Sequence, residues 1–218
     1  MATSTPTERP LRKDAERNRQ RILAAAGEVF AERGLGVTLD DIARAAGVGV
    51  GTVYRRFPDK GTLIDALFAQ RIEALCDIAE EALDIPDAWE ALVFYFEKGS
   101  QLQARDRGLK ELLTCSTHGG AGVAEAKVRL RTNVTAVYDR AKAAGVLRAD
   151  VAPFDSPIIH FMLGAVMDRS REVEPELWRR YLGLMLDGLR PESATPLSVE
   201  ALTAEQLDAV MHTPLIRR

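Results

Sequence analysis

Disulfide chemistry, secretion and membrane insertion all find little support in this chain. Its 218 residues include two cysteines, Cys76 and Cys115, both in apolar helical contexts, so no disulfide framework is expected and a reducing compartment suits it. Residues 1–19 lack the apolar core of a signal peptide, and no apolar run approaches the roughly 18 residues that a membrane span needs. No stretch alternates apolar and polar residues over strand length, which points to an all-α protein. Metal and catalytic motifs are missing too: there is no His-Glu-x-x-His, no paired cysteines at zinc spacing, no phosphate-cradling glycine loop and no nucleophile elbow. The expectation is a cytoplasmic protein with no membrane partner, no cofactor, no metal and no catalytic residues. Cys115 and His118 stand three apart and would suit a nucleophile and base, but a buried thiol and a hydrogen-bonded imidazole explain them equally. An α-helical enzyme or small-molecule carrier therefore stays open as an alternative.

What the chain does have is helical periodicity and an uneven charge. Residues 1–60 hold 11 Lys and Arg against 8 Asp and Glu, while the remainder holds 18 against 24. A basic head on an acidic body is the balance of a nucleic-acid reader joined to a domain with another partner.

The most informative stretch is Thr38 to Leu63. Thr38 with Asp41 three residues later is a capping-box start, and Leu39, Ile42, Ala43 and Ala46 then share one apolar face. Gly47 supplies the left-handed residue that stops this helix, and Val48 can fill the angle between two crossed helices. A second helix starts near Gly49 and carries Val50, Gly51, Thr52, Val53, Tyr54, Arg55 and Arg56, too short and polar for a core helix. Its small head residues permit close backbone approach, and its donors suit phosphates and base edges. Phe57 and Pro58 end it, Asp59 caps the next helix, and Lys60 stands beside that cap. Helical hairpins also occur without DNA, and Arg55-Arg56 alone would suit a solvated face.

Taken together, Gly47-Val48, Gly51-Thr52-Val53-Tyr54, Phe57, Asp59-Lys60 and Leu63 resemble the N-terminal signature of TetR-family bacterial transcriptional regulators. The resemblance implies a three-helix head that contacts double-stranded operator DNA. Thr38, Thr52, Tyr54 and Lys60 would touch the DNA backbone, Val50, Gly51 and Arg55 would face the groove, and Arg56 would add charge. Two positions depart from the family pattern: Gly49 stands where Ser or Thr is common, and Arg56 where Tyr or His is frequent. The family also implies a helical body that dimerises and binds a small-molecule effector releasing a repressor from a palindromic operator; an activator or ligand-independent regulator of the same fold is the nearest rival.

Along the chain, residues 1–11 are expected to be a disordered arm, 12–60 the DNA-binding head, 61–190 the body and 191–218 a tail with one short helix, Thr203 to Met211. The first helix, expected from Asp14 to Arg33, buries Ile22, Leu23, Ala26, Val29 and Phe30. Basic residues on the arm and this helix, Arg21 among them, are within reach of phosphates or are solvated. A long helix from Asp59 toward Leu83 follows, then helices near 87–104, 108–116 and 122–144. The last aligns Val123, Lys127, Leu130, Val134, Val137 and Tyr138 on one face. Two late helices, 155–171 and 175–189, are apolar on more than one face, which suits either a central core or a dimer interface through Ile158, Met162, Val166, Trp178, Tyr181, Leu182 and Met185. Candidate effector-pocket residues are Phe94, Tyr95, Leu112, Cys115, His118, Tyr138, His160 and Met167, all of types that also fill ordinary cores.

Overall fold

The computed structural model describes residues 8–105, 120–193 and 195–212, and among these all regular structure is helical. The α-helices are α1 (Glu8–Arg33), α2 (Leu39–Ala46), α3 (Val50–Arg56), α4 (Lys60–Asp84), α5 (Ala88–Arg105), α6 (Ala121–Ala143), α7 (Asp155–Ser170), α8 (Leu177–Gly188) and α9 (Ala204–His212). Helix α1 starts at Glu8, earlier than Asp14 and inside the stretch expected to be an arm. Leu112, Cys115, His118 and the expected helix over 108–116 lie outside the described residues. The chain divides into two compact units, Met1–Leu67 and Phe68–Arg218. The division falls within α4 rather than at residue 60, because Leu63, Ile64 and Leu67 on its first turns are buried in the smaller unit's own core.

That smaller unit is a three-helix head completed by the start of α4. The expected α1 stripe, Ile22, Leu23, Ala26, Val29 and Phe30, is buried, as are Leu39, Ile42, Ala43 and Ala46 of α2. From α3 only Val53 goes inside, followed by Phe57 just past its end. A seven-residue helix with one buried side chain has little stability of its own, so the packing of Val53 and Phe57 must hold it.

The start of α2 is capped in both directions. Thr38 Oγ1 accepts the Asp41 N–H at 3.2 Å, and Asp41 Oδ2 accepts the Thr38 N–H at 3.1 Å and its hydroxyl at 2.7 Å. Arg44 adds a 3.0 Å ion pair to the same carboxylate. These bonds, led by the Thr38 hydroxyl, pull the Asp41 pKa down to about 2. Helix α4 is capped similarly, with Asp59 Oδ1 accepting the Thr62 N–H at 2.7 Å.

The larger unit is built on one apolar cluster. Leu92, Tyr95 and Phe96 of α5 meet Val134, Val137 and Tyr138 of α6, Ile159, Leu163 and Met167 of α7, and Trp178, Leu182 and Leu186 of α8. Arginines close helix ends and tie helices together. Arg140 Nη1 donates to the Leu83 carbonyl at 2.7 Å at the C-terminus of α4, where carbonyls lack intrahelical partners. Arg129 of α6 bridges to Glu80 of α4 at 2.8 Å, and Asn133 donates to the same carboxylate at 2.9 Å. Cys76 is buried, with its thiol pushed up to about 11 mainly by loss of solvation, so it stays protonated and unreactive.

His160 is half-buried against this cluster, stacked on Phe96 with 5.4 Å between ring centroids and edge-on to Tyr95 at 5.8 Å. Its Nδ1 donates to the Ser156 carbonyl at 2.9 Å, and its buried Nε2 has no hydrogen-bond partner among the described residues. Burial lowers its pKa below the usual 6.5, so the ring is held neutral.

Two pH responses follow. Asp41 is depressed in the folded state, so its contribution is full above the unfolded carboxylate value near 3.8 and disappears as pH falls toward about 2. Thr38→Ala should cost about 1 kcal/mol in urea unfolding at neutral pH, with the deficit shrinking across that acid window. For His160 the unfolded chain takes up the proton first, so stability is full above pH 6.5 and falls as pH drops below it. His160→Gln should remove that component from the stability profile.

Candidate functional site

The turn between α2 and α3 sets the geometry of the head's exposed face. Gly47 has φ of 61° and donates to the Arg44 carbonyl at 3.2 Å, while Val48 N–H reaches back to Ala43 O at 3.1 Å. This is a Schellman turn, and a side chain at Gly47 would be strained twice, by the left-handed backbone and by Arg21 Nη2, 3.2 Å from where its Cβ would lie. Arg21 itself donates to the Ala46 carbonyl at 2.9 Å. It therefore closes the end of α2 inside the head, an internal role that its basic character alone did not reveal.

Beyond the turn, α3 presents residues that the head does not use. Val50 is 43% and Tyr54 47% exposed, and Arg55 is exposed with no hydrogen bond or ion pair among the described residues. Thr52 is half-buried beside Gly49, which caps α3 through its backbone without a side-chain bond. Gly51 is exposed in ordinary helical backbone, and a Cβ placed there meets nothing within 4 Å. Neither packing nor conformation within the head requires glycine at this position. What it provides is a surface to which another backbone can come close.

Three of the expected DNA-contact residues are engaged within the head. Lys60 Nζ donates to the Leu35 carbonyl at 2.7 Å and to Val37 O at 3.4 Å, serving the loop between α1 and α2. Arg56 reaches the Ala15 carbonyl at 3.3 Å. Thr38 spends its hydroxyl on the capping box.

In the body, a cavity of about 250 Å³ lies between α4, α5, α6, the start of α7 and α9. Phe68, Ile72 and Leu75 form one wall, and Leu130 and Val134 another. Tyr95 and Ser156 contribute a buried polar pair, Oη to Oγ at 2.9 Å. Lys127 and Arg131 stand at the exposed rim, and Ala204, Leu207 and Met211 of α9 close the remaining side. Of the expected pocket residues Tyr95 lines this space. Tyr138 and Met167 face the core instead, and Phe94 and His160 also lie away from the cavity wall. The rim cations and the α9 wall were missed. Lys127 on an otherwise apolar α6 stripe was the available signal, because a charge at a core-facing position marks the edge of a space.

The expected dimer residues separate into two sets. Trp178 and Leu182 point into the core cluster, since the inner stripe of α8 has to cover α5 and α7. Ile158, Val166 and Met185 are half-buried, and Met162 and Tyr181 are exposed together with Leu184 of the same helix as Tyr181, which is 58% exposed.

Comparison with known proteins places this architecture. Residues 22–67 match the family model of bacterial regulatory proteins of the tetR family, and residues 87–191 that of the SbtR-like transcriptional regulator C-terminal domain. The TetR transcriptional regulator SCO0520 from Streptomyces coelicolor is 34% identical, aligned over 79% of this chain and 98% of its own, with a TM-score of 0.61. The chain belongs to the TetR family. Another TetR regulatory protein, from Mycobacterium vanbaalenii, is also 34% identical, over 83% of this chain and 99% of its own, with a TM-score of 0.59. Among curated relatives, the HTH-type regulator SrpR of Pseudomonas putida is 44% identical over 81 residues, 37% of this chain and 38% of SrpR's length. That stretch is too short to carry SrpR's activity over. The SbtR-like match ends at 191, so α9 lies beyond the part of this TetR-family chain that it covers.

If Gly51 serves an external contact, replacing it should help the isolated protein. Gly51→Ala should raise the unfolding free energy by up to about 0.5–1 kcal/mol, the gain for glycine in a helix interior and an upper bound for this first-turn position, read by urea denaturation at neutral pH.

Proposed function

We propose that this TetR-family protein is a homodimeric transcriptional repressor that binds a palindromic operator through α3 and is released by a small-molecule effector held in the body cavity. The observation that carries the reading is the outer face of α3. Val50, Gly51, Tyr54 and Arg55 are exposed on a helix too short to be kept for its own stability, and the glycine in its first turn serves no internal purpose.

In this reading Gly51 lets the helix approach the sugar-phosphate backbone or base edges, Tyr54 donates to phosphate, and Arg55 reaches a base edge, where a bidentate contact to guanine is the commonest specific pairing. Thr38 and Lys60 act chiefly by holding the head in shape, and Arg56 joins the DNA contact by releasing its single long bond to Ala15. Ile158, Met162, Val166, Tyr181, Leu184 and Met185 form the surface that a second copy covers, bringing two heads to two half-sites. The effector acts by preferring the state that does not bind DNA, with a coupling of about 1–3 kcal/mol.

The test is fluorescence anisotropy of the purified dimer on labelled DNA from its own upstream region, with scrambled DNA as competitor. Selective binding should weaken steeply with salt, and Arg55→Ala should cost about 1–3 kcal/mol and relax selectivity. Gly51→Ala should bind less well despite its greater stability. Equal binding of specific and scrambled DNA, or an Arg55→Ala variant as selective as the parent, contradicts the proposal.

A further inference from the structure

We infer that the body cavity takes a small amphipathic carboxylate, whose head group replaces the side chain of Asp208 at Lys127 while its apolar portion fills the space closed by α9. This rests on the reading that the body binds a small molecule, and it names that molecule's chemical class and the part of the chain it competes with.

The lining divides by chemistry. Phe68, Ile72, Leu130, Val134 and Phe154 make the walls apolar, whereas the two full positive charges, Lys127 and Arg131, stand together at the rim. Lys127 is 44% exposed, so its charge remains solvated while its stem covers the cavity edge, with the ammonium 5.7 Å from the centre of the Phe68 ring. A neutral ligand would leave Lys127 paired with Asp208, which also lines the cavity, whereas a carboxylate can take that aspartate's place.

The tail already supplies what the rim asks for. Helix α9 is capped at Thr203, whose hydroxyl accepts the Gln206 N–H at 3.2 Å, and its Ala204, Leu207 and Met211 recur at helical spacing against the cavity. That register brings Asp208 to Lys127 at 3.9 Å. Glu205 also lies within the field of Arg131, although its carboxyl is held low chiefly by its own backbone N–H and by Thr203. An aspartate on a half-buried apolar helix thus imitates a carboxylate with a short hydrocarbon body. Its ion pair is long and exposed, of a kind that contributes little, so a free carboxylate that also fills the cavity can displace it. The cavity's volume of about 250 Å³ leaves room for an alkyl chain or a single ring.

Three probes of matched shape separate charge from size: decanoate, decanol and decylamine, titrated calorimetrically into the full-length protein without DNA. Decanoate should bind at least about tenfold more tightly than either of the others. Lys127→Gln should weaken decanoate about fivefold and leave decanol unchanged, and Asp208→Asn should tighten decanoate about threefold by removing the competitor. Leu207→Ser should weaken decanoate and decanol alike. Decanol binding as tightly as decanoate, or decanoate binding indifferent to both Lys127→Gln and Asp208→Asn, overturns the inference. Operator anisotropy with decanoate present is read separately. Charge-selective binding that leaves DNA affinity unchanged would uphold this ligand site and contradict effector release by such a ligand, whereas selective DNA binding with no decanoate binding would leave the operator reading standing and contradict this ligand site.

Discussion

The conformation of Gly47 is the constraint on which the head depends. Because it turns through the left-handed region, α2 stops in a Schellman turn and α3 starts within three residues, with Val53 and Phe57 directed inward. Everything on the opposite side of α3 is then forced outward. Arg21 reinforces the turn by occupying the carbonyl of Ala46, and the Thr38–Asp41 capping box fixes the other end of α2. An eight-residue helix held at both ends is a rigid mount for a seven-residue helix that could not stand alone. Rigidity of this kind is what base readout needs, since a donor displaced by an ångström loses its partner.

The body is organised on a different principle. Its core is one cluster of buried residues around Trp178, Tyr138 and Phe96, and its helices are stitched by arginines that satisfy carbonyls at helix ends or bridge to carboxylates. The cavity opens where this packing gives way to Lys127 and Arg131, and a helix beyond the family-matched region closes it. A protein that must respond to a small molecule benefits from such an arrangement. The core supplies the stable reference state, while a wall made by a short, largely exposed helix can change at small cost.

Much of the head was legible in the sequence because its signals are local. Thr38 with Asp41, the positive-φ glycine at 47 and the inward spacing of Leu39, Ile42 and Ala46 each specify a conformation within a few residues. The α1 stripe was legible for the same reason. What was hidden depends on partners distant in sequence. Lys60 looks like a phosphate donor until the Leu35 carbonyl appears beside it, and Arg21 looks like a solvated cation until it meets Ala46, 25 residues away. The pocket expectation leaned on residue types with apolar bodies and polar tips, which equally describes Tyr138 in the core and His160 stacked against it on Phe96. Helix α9 carries an ordinary capping pattern, and its address on the cavity could be read only from the fold. Trp178 and Leu182 illustrate the same limit: apolar residues all round a helix announce two buried faces without saying which one belongs to the core.

The central claim is that two copies of α3, held by two heads of one dimer, read DNA. Hydroxyl-radical footprinting on the protein's own upstream DNA tests it most directly. The account predicts two protected half-sites related by a twofold axis and centred a whole number of helical turns apart, about 34 Å or a multiple of it, both lost together in Arg55→Ala. A single unsymmetrical protected patch, or protection that persists unchanged in Arg55→Ala, would contradict it.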